Sequence, residues 1–434
     1  MTDSNVAAEN ANNPYASTKA AYYALGILTI VYSINFIDRQ LLSILQESIK
    51  ADLMLSDAQL GLLTGFAFAV FYTFAGLPIA SLADRSNRRN IVAISLTIWS
   101  GMTAISGLAQ NYWQLLAARV GVGIGEAGGS PPSHSMISDI FPPEKRASAI
   151  GFYSTGISIG ILFGFLFGGW LNEFFGWRVA FFVVGIPGVL LALVLYLTVP
   201  EPIRGLAENK ASNGDNPSMM TVFKVLLSRK SFLFMALGAA MSAFAGYSTA
   251  NWVASFMIRT HQMPTGELGT WLALIIGVGG AIGVFGSGVI ADKLGKNDKR
   301  WYMWVAVCAC VISIPLQIST FLVNDPYTAL MCMVIPSMLS NAYLGATIAS
   351  VHSMVGLKMR AVSSALLFFI LNIIGLGMGP TTVGLVSDLL ADQHGVDSLR
   401  YAMMYIIPTA MFMSGIFYLV AARYIRDDLA NAPD

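Results

Sequence analysis

The sequence predicts an all-α membrane protein of twelve transmembrane helices in two pseudo-symmetric six-helix halves. Three observations predict it: too little charge for a water-facing surface, repeated apolar stretches of membrane length, and an internal repeat. Of 434 residues, 55% are hydrophobic and only 11% charged, against about 25% charged in a soluble domain. A bilayer core takes about 20 apolar residues per helix, and such stretches recur at 19–46, 57–82, 90–110, 112–139, 145–172 and 178–199. They resume at 230–258, 268–293, 300–322, 326–353, 358–391 and 398–424. Between them lies 200–229, with Pro200, Pro202, Asn213, Gly214 and Pro217, a composition suited to a flexible linker. The expected layout is therefore a polar tail at 1–18, a bundle at 19–199, the linker, a second bundle at 230–424 and a tail at 425–434.

Orientation follows from the Lys/Arg bias. With both termini in the cytoplasm, nineteen Lys and Arg fall on that side and four on the other, namely Lys50, Arg178, Arg259 and Arg400. Arg39 and Arg119 are left at membrane depth. The polar tail has no signal-peptide pattern, so the first apolar segment is expected to act as an uncleaved anchor. A net charge of +1 and the lack of a basic patch give no sign of a nucleic-acid partner. Cys308, Cys310 and Cys332 lie in apolar segments and read as small buried hydrophobes, not as a disulfide or metal site.

The repeat lies in two turns. Ala80-Ser81-Leu82-Ala83-Asp84-Arg85-Ser86-Asn87-Arg88-Arg89 follows the second span, and Gly288-Val289-Ile290-Ala291-Asp292-Lys293-Leu294-Gly295-Lys296 follows the eighth. Asp84 and Asp292 are 208 residues apart, close to half the chain. The pattern resembles the cytoplasmic loop motif of the major facilitator superfamily, whose fold is two parallel six-helix halves. Ala80 and Asn87 stand where the motif has glycine; Asn tolerates the left-handed backbone, so the turn is expected to survive. The resemblance makes Asp84, Arg85, Arg88, Arg89, Asp292 and Lys293 a candidate gate motif.

Charges at membrane depth are costly and mark function by default. The first half has Asp38 and Arg39 in span one, and Arg119 and Glu126 in span four. Arg119 and Glu126 are seven residues apart, on one helix face about 10 Å from each other. Asp38 and Arg39, as neighbours, point about 100° apart. Two acids and two bases cancel. The group reads either as an ion-pair brace or as a proton relay, in which a carboxylate takes a proton when its arginine moves away. The second half offers neutral groups such as Asn251, Trp252, Asn341, His352 and Asn372, with no charge between its helix ends. Charge on one wall and apolar surface on the other suit an amphipathic solute. Asn35, His134, Asn251, Trp252 and Asn372 are candidate cavity residues, with His134 either packed or a second proton site.

Glycines crowd three spans: Gly156, Gly160, Gly164, Gly168 and Gly169 in the fifth, Gly277 to Gly288 in the eighth, and Gly375 to Gly384 around Pro380 in the eleventh. They read as static tight packing or as gate-lining flexibility. Gly121-x-Gly123-x-Gly125 has no preceding strand and is not a nucleotide loop. No catalytic constellation is evident, so an enzyme is not expected.

Arg119–Ala127, Asp139-Ile140-Phe141-Pro142-Pro143-Glu144-Lys145-Arg146-Ala147 and Asn35-x-x-Asp38-Arg39 together resemble the spinster family, most densely over residues 30–200. That resemblance implies transport of lysolipids or sphingosine-type lipids, with head group and proton handled at Asp38, Arg39, Arg119 and Glu126. The expectation is a monomeric secondary transporter of an amphipathic solute in a bacterial inner membrane, driven by a proton gradient and needing no cofactor or metal. The rival expectations are a proton-coupled exporter of hydrophobic drugs and an organic-anion carrier.

Overall fold

The computed structural model describes residues 14, 15, 17–205, 219–356 and 359–430, which are helices joined by short turns with no strand among them. Most of the expected linker (206–218), most of the N-terminal tail and the last four residues lie outside the described part. The long helices are α1 Thr18–Leu53, α2 Asp57–Thr64 continuing as Phe66–Arg85, α3 Arg88–Ser106, α4 Tyr112–Glu126 continuing as Ser130–Ile140, α5 Pro143–Phe175 and α6 Trp177–Thr198. A short helix, Met219–Leu227, precedes the second set. That set is α7 Lys230–His261, α8 from Thr265–Leu272 through Gly279–Gly295, α9 Trp301–Leu322, α10 Pro326–Leu339 continuing as Ala342–Ser353, α11 from Arg360–Ile370 through Gly379–His394, and α12 Ser398–Ala430.

Nine stretches among the described residues are long and apolar enough to cross a membrane, one of which, Val362–Ala430, runs through both α11 and α12. The two absent from that count are α3 and α4. In α3 the polar Ser95, Ser100 and Thr103 are buried, and α4 breaks at Ala127–Gly129 into two pieces too short to span alone. Polarity inside a helix that faces other helices lowers its hydropathy without removing it from the membrane.

Helix starts follow capping chemistry. Ser56 and Gln59 form a capping box at α2, and Asn111 caps α4 through the Gln114 N–H. Asn87 corrects an expectation. Its φ of −69° and ψ of 112° are extended, not left-handed, and its side chain accepts the Asn90 N–H at 2.9 Å. It replaces the motif's glycine by serving as the cap of α3.

By spatial contacts the chain forms two compact units that do not break at the sequence midpoint. Unit 1 holds residues 1–39, 71–164 and 177–214, and unit 2 holds 40–70, 165–176 and 215–434. In unit 1, α3 packs along α6; in unit 2, α7 packs along α12 and the start of α2 along the end of α11. Helices α8 and α11 each carry a π-helical run, Ala273–Val278 and Leu371–Met378, the kind of irregularity that concentrates at functional sites.

The glycine stripe of α5 divides its work. In unit 1, Gly156 and Gly160 admit the backbone of α1 at Thr29 and Ser33; in unit 2, Gly168 admits Leu41 and Ile44 of α1. Gly169, on a different face, meets Gly269 of α8 backbone to backbone. The four-residue repeat therefore seats α5 on α1, and the residue just past it makes the approach to α8.

Candidate functional site

The four buried charges of unit 1 pair crosswise. Asp38, 1% exposed, meets Arg119 with Oδ1 3.2 Å from the guanidinium, and Arg39 Nε donates to Glu126 Oε2 at 2.7 Å. Thus α1 is tied to α4 twice, each pair drawing one residue from either helix. Arg39 also lies over the rings of Phe36 and Tyr72, at 5.3 and 4.9 Å. A guanidinium stacks well on aromatic faces when poorly hydrated. Glu126 Oε1 is buried with no hydrogen-bond partner among the described residues.

Sequence reasoning missed Thr103 of α3. Its hydroxyl lies 2.7 Å from Asp38 Oδ2 and 2.9 Å from the Trp99 carbonyl, and a hydroxyl has only one proton to give. It donates to an ionised Asp38. When Asp38 is protonated, the carboxyl donates to Thr103, which turns its proton to Trp99. The site is therefore hydrogen-bonded in either protonation state. Serine and threonine are common in membrane helices, so nothing in the sequence singled out this one.

The break in α4 places Glu126 at the last residue of the first piece, and Gly129 precedes Ser130-Pro131-Pro132. A carboxylate at the negative end of a helix is unfavourable, and Arg39 offsets it. The glycines before it are packing sites: a methyl on Gly121 would strike Met102, and one on Gly125 would strike Trp99.

The two loop motifs differ. Arg88 is 2% exposed and gathers Asp139, Glu201 at 2.8 Å, Ser135 at 2.8 Å and the Pro202 carbonyl at 2.9 Å. Arg89 lies over the Tyr196 ring at 4.7 Å, and its backbone N–H donates to Glu201 at 2.8 Å. This hub joins the ends of α3, α4 and α6. Arg85 is exposed, and the side chain of Asp84 lies outside the described residues. In the second motif Asp292 and Lys293 are exposed, and Asp292 accepts from the Tyr302 hydroxyl at 3.4 Å. Beyond it Asp298 is held down at about 2 by hydrogen bonds from Arg300, with Arg426 adding a weaker contribution.

Of the other candidates, Asn35 is buried in unit 1, and His134 is half-buried with its ring edge-on to Tyr153 at 5.1 Å. In unit 2, Asn251 accepts from Ser43 at 3.2 Å and donates to the Tyr247 carbonyl at 2.9 Å. Trp252 is wholly buried and donates to the Pro380 carbonyl at 2.9 Å. Asn372 is half-buried within the π-helical run of α11. Cys308, Cys310 and Cys332 are free.

The expectation of no charge between helix ends in the second half needs correcting. Asp388 sits within α11, clear of its last turn, while Arg259 lies in the last turn of α7, and both are engaged. Arg259 forms two-pronged bonds to Glu47 at 2.7 and 2.8 Å and to Asp57 at 2.6 Å, and Lys50 reaches Asp57 at 2.6 Å. Near a helix end such charges read as ordinary surface. A groove of about 510 Å³ on unit 2 is lined by Trp170, Glu267, Thr270, Trp271 and Leu274.

Comparison with known proteins places these features. Residues 28–380 match the Major Facilitator Superfamily. An MFS-type efflux pump of Mycolicibacterium smegmatis is 33% identical over 419 residues, covering 95% of this chain and 96% of that protein. The sphingosine-1-phosphate transporter SPNS2 of Danio rerio is 25% identical, covering 94% and 85%. The crystal structure of a bacterial homolog of the human lysosomal transporter Spinster, inward-facing and unoccupied, superposes with a TM-score of 0.81 at 32% identity over 95% of this chain and 98% of that one. With its helices, paired loop motifs and this breadth of likeness, the chain belongs to the major facilitator superfamily, as a multi-pass membrane transporter resembling the spinster proteins.

Proposed function

We propose that this transporter moves an amphipathic, lipid-like solute, of the lysophospholipid or sphingosine-phosphate kind, by proton-coupled alternating access in a bacterial inner membrane with both termini in the cytoplasm. The observation that carries the reading is the crossed pairing of Asp38 with Arg119 and Arg39 with Glu126, buried in unit 1. A buried carboxylate and an anionic head group compete for the same guanidinium. A proton on Asp38 removes that competitor and frees Arg119 for a phosphate; the proton's departure restores the pair and expels the head group. Thr103 keeps Asp38 hydrogen-bonded through both steps. The scarcity of charge at membrane depth in the second half of the sequence is consistent with a solute that has an apolar part. Likeness to a sphingosine-1-phosphate transporter supports the same substrate class.

The test is transport by purified protein in proteoliposomes with an imposed pH gradient, comparing a lysophospholipid, a hydrophobic cationic dye and a dicarboxylate. The expected outcome is lysophospholipid movement that the gradient accelerates and that Asp38→Asn renders indifferent to it. Lysophospholipid movement absent under every gradient overturns the lipid reading. Asp38→Asn transport with full gradient dependence removes Asp38 as the proton site. The second reading, export of hydrophobic drugs, is favoured by the 33% identity to an efflux pump, and gradient-driven movement of the dye alone would establish it.

A further inference from the structure

Two helix starts in unit 2 are completed by carboxylates from other helices. At α2, the Ser56 side chain takes the Gln59 N–H, which leaves the first two N–H groups without an intrahelical acceptor. Asp388 of α11 accepts both, from Asp57 at 3.0 Å and Ala58 at 2.8 Å. At α8 the residue before the helix is Pro264, which has no side chain to cap with. Glu173 of α5 accepts the Gly266 N–H at 2.6 Å instead.

These two contacts are repeats of one another. Ala58 and Gly266 are 208 residues apart, the spacing that relates Asp84 to Asp292. Gly61 and Gly269 have the same spacing, and each marks a backbone-on-backbone crossing: Gly61 against Pro380 and Thr381 of α11, Gly269 against Phe165 and Gly169 of α5. Each crossing therefore has a glycine approach and, one turn toward the helix start, a carboxylate across the gap. In both, the acid comes from the opposite sequence half: Asp388 serves a first-half helix and Glu173 a second-half helix. Both lie at the end that the Lys/Arg bias places away from the cytoplasm. Asp57, whose N–H Asp388 accepts, is bonded by Arg259, and one turn before Arg259 the Ser255 hydroxyl donates to Gln46 at 3.2 Å.

We propose that Asp388 and Glu173 are a matched pair of latches that hold this end shut, and that both must release their N–H groups for the transporter to open there. A helix start presents free N–H groups and the positive end of its dipole, which a carboxylate across the gap is suited to hold. The inference stands on the superfamily's alternating access and on no particular cargo, so its failure leaves the lipid reading untouched.

The test places a reporter at Ser255, which is wholly buried. In protein with the three native cysteines replaced by alanine, Ser255→Cys is labelled with a maleimide in nanodiscs, with Glu173→Gln, Asp388→Asn or both, and thermal unfolding is measured alongside. Each neutral variant is expected to raise the labelling rate about two- to fivefold, the range a charge at a helix terminus commands, and the double variant to multiply the two. Should a neutral variant fail to fold, Glu173→Asp and Asp388→Glu, which keep the charge but change its reach, are read for the same gain. Unchanged labelling in folded protein overturns the proposal. So does faster labelling that merely tracks a lowered melting temperature, which would make the acids simple braces.

Discussion

Two neutral quartets hold α1, and they are built differently. In unit 1, Asp38, Glu126, Arg39 and Arg119 form two crossed pairs, with side-chain exposures of 0–3% apart from Arg39 at 15%. In unit 2, Glu47, Asp57, Lys50 and Arg259 form one connected network whose members reach 31% exposure at Lys50. The connected set loses one bond and keeps the rest. A buried pair that loses a member strands a charge, unless a proton arrives. Pairs of the first kind suit switching, and networks of the second suit holding.

The sharpest way to break this comparison is to strand a charge in each. Arg119→Leu leaves Asp38 buried and unpaired and should cost about 3–5 kcal/mol of stability in denaturant unfolding. Asp38→Leu added to it should recover most of that loss while leaving transport dead. Arg259→Leu should cost less, about 1–3 kcal/mol, because Lys50 still reaches Asp57 and Glu47 has access to water. Equal losses at the two sites would erase the distinction. Thr103→Val should cost about 1 kcal/mol and displace the pH profile of transport, while Thr103→Ser should leave both near the parent; an unshifted Val profile would make Thr103 mere packing. The smallest effect is expected at Asp298, partly exposed and held at about 2 by Arg300. Its folded-state value is depressed, so its contribution is complete above the unfolded value near 4 and fades as pH falls toward 2. Asp298→Asn should lower the melting temperature slightly at pH 7, and that difference should vanish in strong acid.

Hydropathy made the spans legible, because bilayer thickness leaves little choice of length. The four charges of unit 1 were legible for the same reason: at that depth a charge has no ordinary explanation. Their crossed partnership was not, since spacing along one helix says nothing about the face of another. Asn87 shows a subtler limit, with one residue type offering two turn geometries and the neighbouring N–H groups choosing between them. Arg259, Glu173 and Asp388 escaped because charges near helix ends are commonplace. The 208-residue spacing noted at Asp84 and Asp292 would have found two of their sites had it been carried to Gly61 and Gly269.

The crossing of Gly169 and Gly269 has a mechanical consequence. Two backbones that touch without side chains between them present a smooth bearing, with no rotamer to flip and no knob to lift from a hole. One helix can slide or pivot on the other with little friction. A single methyl added at Gly169 would strike the Thr265 carbonyl oxygen, and one at Gly269 that of Phe165, so either should force the two backbones apart and end the sliding contact.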